Sequence, residues 1–126
     1  MPKIRASLNV AAALAAALAG GVFSCSGDDH SQAGARDLAT SHSCDYYARC
    51  GQIGAGQTYT SRDDCDVQVR AFWNGQWPAT DCDGKISTSA LGICTAAIDS
   101  TLCGNGVDVL NTVLVKCAKA DVCGGP

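Results

Sequence analysis

The chain has 126 residues, nine of them basic against twelve aspartates and no glutamate, for a formal net charge of −3, and nine cysteines. No basic cluster could follow a phosphate backbone, which argues against nucleic-acid binding. An acidic surface of this kind serves solubility, and the cysteine count points to covalent stapling.

Met1-Pro2-Lys3-Ile4-Arg5 followed by the Ala- and Leu-rich run Val10 to Ala19 is a basic n-region ahead of an apolar h-region, the pattern of an export signal. Its uncharged apolar run is shorter than the roughly 20 residues of a membrane-spanning helix, and no later stretch qualifies. Two ends for the signal compete. Ala17-Leu18-Ala19 is an A-x-A site that would release a secreted chain beginning at Gly20. Val22-Phe23-Ser24-Cys25 resembles the lipobox of bacterial lipoproteins, with Phe23 where a small residue is usual. In those proteins the cysteine becomes the lipidated N-terminus. Cysteine parity favours the second end, because setting Cys25 aside leaves an even set for oxidative pairing. The expected organisation is a signal peptide over 1–24, a small polar tether with lipidated Cys25 over 25–36, and one domain over 37–126. From Cys25 onward seven basic residues face twelve aspartates, a balance of −5. His30 falls in the tether and is expected to be solvated.

Within the domain, an N-terminal helix is expected from about Asp37 to Arg49, weakened by the poor helix formers Thr40-Ser41-His42-Ser43. Tyr46 and Tyr47 between Cys44 and Cys50 suggest its buried face. Ser61-Arg62-Asp63-Asp64 is a capping pattern with acids in the first turn, followed by Cys65, Val69, Phe72 and Trp73 at helical spacing until Asn74-Gly75. Ser87 caps a third helix, with Ile86 and Leu91 placed as a hydrophobic staple and Leu91, Cys94 and Ile98 on one face. The last helix runs from Asn105 through Leu110, Val113, Leu114 and Cys117, with Lys116 and Lys119 at its C-terminal end. Strand signals are thin. The fold class is therefore mostly all-α, a small disulfide-rich bundle of about four short helices.

The scattered large apolar residues make a core of marginal surplus, so disulfides decide whether the domain stays folded. The candidates are Cys44, Cys50, Cys65, Cys82, Cys94, Cys103, Cys117 and Cys123. They allow ~100 connectivities. Closeness in sequence of Cys94, Cys103, Cys117 and Cys123 favours stitching the last helix to the one before. The cysteine gaps are too wide for a zinc site or a C-x-x-C redox centre, so no metal is expected.

Catalytic patterns are weak. His42 lies in the domain, but Ser41 and Ser43 beside it point away on a helix, and no G-x-S-x-G elbow exists. Asp63, Asp64 and Asp66 fit a helix N-terminus better than acid–base chemistry. Asp81-Cys82-Asp83-Gly84 starts like a calcium loop and lacks its later ligands, and Gly51, Gly54 and Gly56 form no phosphate-binding fingerprint. No cofactor and no catalytic residue is expected. Trp73 and Trp77, around a turn, are placed in the core, with an aromatic platform for a ligand as the alternative.

Cys44-x2-Tyr47-x2-Cys50, Tyr59-x-Ser61, Asp64-Cys65, Trp73 with Trp77, Cys82, Leu91-x2-Cys94, Cys103, Cys117 and Val122-Cys123, behind a lipoprotein signal, resemble a family of small cysteine-rich bacterial lipoproteins of unknown function, some labelled natural-product-biosynthesis lipoproteins. The resemblance covers nearly all of the mature chain and carries a disulfide frame without catalytic residues. By similarity to other lipoproteins, Ser26 after the lipidated cysteine favours the outer membrane. The expected protein is an exported, lipid-anchored, non-enzymatic binding or scaffolding module whose membrane contact is its lipid and whose ligand or protein partner is open. An accessory protein or enzyme of natural-product biosynthesis, and a secreted effector or inhibitor, are the alternatives.

Overall fold

The Ser31 hydroxyl accepts a hydrogen bond from the Gly34 amide at 3.1 Å and caps helix α1, Gln32–Arg49. The computed structural model describes residues 30–125. The lipobox with Cys25, the signal peptide and Ser26 lie outside them. Helices α2 (Arg62–Gln76), α3 (Ala79–Cys82), α4 (Thr88–Ser100), α5 (Gly106–Asn111) and α6 (Lys119–Val122) follow, with a π turn over Thr112–Lys116 between the last two. Among the described residues the sole β pairing is an isolated bridge of Ile53 with Tyr59. The molecule is a small disulfide-rich all-α bundle, as the sequence leads one to expect.

Three caps stand where the side-chain chemistry places them. Ser61, Ser87 and Asn105 accept from the amides of Asp64, Ala90 and Asp108 at 3.1, 3.3 and 3.1 Å. Ile86 and Leu91 are both buried across the Ser87 cap, as a staple requires. Helix α1 tolerates its weak formers because they bond back into the helix: Thr40 to the Arg36 carbonyl at 2.8 Å and Ser43 to that of Ala39 at 2.7 Å. Its small buried residues Ala35 and Ala39 let α2 and α4 pack closely on either side. Tertiary packing outweighs the propensity deficit. After Cys50, Gly51 takes φ 69°, which turns the chain out of the helix.

Two expectations at the N-terminal side are corrected. Helix α1 begins at Gln32, taking in the end of the segment assigned to the tether. His30 is half-buried, not a solvated linker residue: its Nδ1 lies 2.5 Å from the Ile86 carbonyl, and its own carbonyl accepts from the Ile86 amide at 3.3 Å. Gln32 is buried because its amide donates to Asp83 and its side chain to the Trp77 carbonyl at 2.6 Å and to Asn74 at 3.2 Å. These partners lie some 40 to 60 residues downstream, beyond any local pattern.

The core holds Trp73 and Trp77, stacked with ring centroids 4.6 Å apart. Their indole N–H groups donate to Ser43 Oγ at 3.0 Å and to the Cys117 carbonyl at 3.1 Å, satisfying the polar edge that burial would otherwise strand. Ile86, Val122, Val69 and Ile98 complete it.

Among the described residues all eight cysteines pair: Cys44–Cys65, Cys50–Cys103, Cys82–Cys123 and Cys94–Cys117. Cys94–Cys117 does stitch the C-terminal segment to α4, whereas Cys103 and Cys123 reach back to the end of α1 and to α3.

The last helix departs most from expectation. The Cys117 amide bonds to the Thr112 carbonyl, five residues back, at 2.9 Å. That extra residue shifts the upstream face by about 100°. Thr112 is buried where Val113 or Leu114 would have been, its hydroxyl 3.0 Å from that of Thr101. Leu110 and Leu114, expected inside, stand 59% and 65% exposed.

Candidate functional site

The rotation leaves an apolar cleft of about 350 Å³ between the C-terminal half of α1, α2 and the α5–π segment. One wall is aromatic: Tyr46 and Tyr47 from α1 meet edge to face at 5.2 Å, and Tyr59, from the loop bridged to Ile53, lies 4.9 Å from Tyr47. The opposite wall is Val69, Phe72 and Trp73 of α2, with Phe72 edge-on to Trp73 at 5.0 Å. Ile98 and Thr101 reach it from the end of α4, and Val109, Leu110 and Val113 form the lip. Among the described residues no charged side chain lines it.

Its polar groups are largely committed within the protein. Ser43 accepts from Trp73, the hydroxyls of Thr101 and Thr112 join, and Tyr46 makes a long bond of 3.5 Å to the Leu102 carbonyl. Arg49 lies over the Tyr46 ring at 5.6 Å and donates to the Asp99 and Thr101 carbonyls, bracing that wall from outside. Burial, with Tyr59 alongside and hydrogen-bonded, pushes the Tyr47 hydroxyl up to about 12, and burial raises Tyr46 too. Both phenols are neutral at physiological pH, so the cleft presents uncharged rings and aliphatic groups.

The residues singled out from sequence are dispersed. Trp77 is fully buried and does not reach the cleft, whereas Trp73, 1% exposed, forms part of its wall. His42 pairs with Asp99 at 2.8 Å on the surface, and Ser43 beside it is buried and bonded to Ala39, so they make no dyad. Asp64 accepts from Gln68 and from the Thr60 amide and hydroxyl, which hold its carboxyl below the usual range, and Asp66 pairs with Arg62. Asp81 pairs with Lys119 at 2.8 Å, and Asp83 receives the Gln32 amide. Among the described residues no cluster of His, Cys or Asp is arranged to hold a metal ion. The stretch from Phe72 to Trp77 was the sequence's candidate for binding, and its Phe72 and Trp73 do line the cleft, whereas Tyr59 and Leu110 were not legible as site residues. The pairing of Tyr46-Tyr47 with a third tyrosine nine residues past Cys50 is the signal nearest to one.

Among the described residues no helix is long and apolar enough to cross a membrane. Neither curated proteins nor solved structures give a significant match to the chain. Residues 44–125, from the first paired cysteine to two past the last, match the model of a family of unknown function (DUF6184), and the chain belongs to that family.

Proposed function

We propose that the protein is an exported, lipid-anchored cell-envelope protein that acts as a non-enzymatic binding module, with the aromatic cleft as its binding site. The observation that carries the binding role is the cleft itself: a concave site of the size range of small-molecule pockets, walled by aromatic rings and, among the described residues, lined by no charged side chain. The anchor is supported by the lipobox-like Val22-Phe23-Ser24-Cys25 and by the mutual pairing of the eight later cysteines, which leaves Cys25 for another chemistry. Ser26 after that cysteine favours the outer membrane.

Docking of His30 bears on where such an anchor would hold the domain. Five peptide links separate Cys25 from His30 and extend at most about 17 Å, so the N-terminal end of α1 would stay near the bilayer. Tyr46 lies about 20 Å further along α1 at 1.5 Å per residue, which sets the cleft away from the anchored end. Intact mass spectrometry of the protein from envelope fractions tests the anchor: the expected mature chain begins at Cys25 with acyl mass added. A chain beginning at Gly20 without acyl groups would defeat the proposal.

A further inference from the structure

The cleft shows what kind of ligand it could take. Resting on the binding role above, we infer that it accepts an uncharged aromatic compound of one or two rings. Size is the first constraint: about 350 Å³, at the ~30 Å³ that a water-sized group occupies in a liquid, is room for about a dozen non-hydrogen groups. A long acyl chain exceeds that, and its carboxylate would find no cation in the lining.

Hydrogen bonding is the second. Ser43, Thr101, Thr112 and the Tyr47–Tyr59 pair already spend their polar atoms on the protein, so a polar ligand would lose water without full replacement. Gln68 also lines the cleft, with its side-chain amide N–H donating to Asp64, and the largest surface on offer is ring faces and edges on two sides, from Tyr47 and Tyr59 across to Phe72, the geometry in which edge-to-face and offset contacts form.

The lip supplies the third. Leu110 and Phe72 are exposed at the mouth, and a seated ring would cover apolar surface that now faces water. The segment that carries Leu110 is also suited to admit one. Residues 104–116 are tied at both ends, by Cys103 to Cys50 and by Cys117 to Cys94, while α5 between them buries no side chain. Outward movement of α5 would cost only the partial packing of Val109 against the core.

The test uses the oxidised full chain carrying Cys25→Ser, so that no detergent competes, titrated with the fluorescent neutral two-ring probe 1-naphthylamine. Saturable one-site binding is expected, with 2-naphthol displacing the probe at least about tenfold more effectively than dodecanoate. Leu110→Lys and Phe72→Ala, both at exposed positions, are each expected to weaken binding at least about fivefold with the thermal midpoint unchanged. Equal displacement by dodecanoate would overturn the preference for rings while leaving the cleft a binding site. Absence of saturable binding by the folded chain would overturn the inference, and the acyl mass of the envelope protein would still judge the anchor independently.

Discussion

Ser43 is a small residue on which two large ones depend. Its hydroxyl gives its proton to Ala39 and takes the Trp73 indole N–H, so Ser43→Ala would strand a buried donor without opening a large cavity. The expected loss is about 1–3 kcal/mol in urea unfolding, and a loss below about 0.5 kcal/mol would show that the indole finds another acceptor. Tyr47 makes a prediction about pH. Its hydroxyl titrates near 12 in the fold against about 10 in an unfolded chain, so the folded state holds the proton longer. The corresponding stability is complete below about pH 10 and is lost as pH rises toward 12. Alkaline ultraviolet titration is expected to show a late tyrosinate step that Tyr47→Phe removes.

Helix starts were the most legible part of the chain, because a cap is a local contract between one side chain and an amide three residues on. Ser61, Ser87 and Asn105 all keep it. The start of α1 was missed although Ser31 caps it locally, because its first residues are small and polar and the burial of Gln32 comes from Asn74, Trp77 and Asp83 far along the chain. The π turn was hidden for a different reason: Leu110, Val113, Leu114 and Cys117 fit an ideal α-helix, and the extra residue is favoured by burial of Thr112 against Thr101, a contact of tertiary origin. The cleft was illegible with it, since its lip exists through that rotation. Because α5 fully buries no side chain, it rests on the Asn105 cap, its tied ends and the partial packing of Val109 against the core. Amide hydrogen exchange is expected to be much faster across residues 106–111 than in the middle of α1. Equal protection would mean that α5 opens only with the whole domain.

Across the molecule, the disulfides differ in what they constrain. Cys50–Cys103 closes a separation of 53 residues and joins the end of α1 to the loop before α5, and Cys103 is exposed. Its removal leaves little cavity, so Cys50→Ala with Cys103→Ala isolates the loop-closure effect, about 4 kcal/mol in the chain-entropy estimate. Cys44–Cys65 closes 21 residues, about 3 kcal/mol by the same estimate, but both cysteines are fully buried and their replacement adds a packing loss. Urea midpoints of the two double variants compare these contributions.

The spans of these bridges overlap: residues 44–65, 50–103 and 82–123 together leave no gap between Cys44 and Cys123. A protease that cuts the backbone once anywhere in that interval therefore separates nothing, since the two fragments remain one covalent molecule. Nicked copies would keep their shape and, where the lipid is attached, their place at the membrane. Durability of this sort comes from the order in which the sulfurs are joined more than from the strength of any single bond.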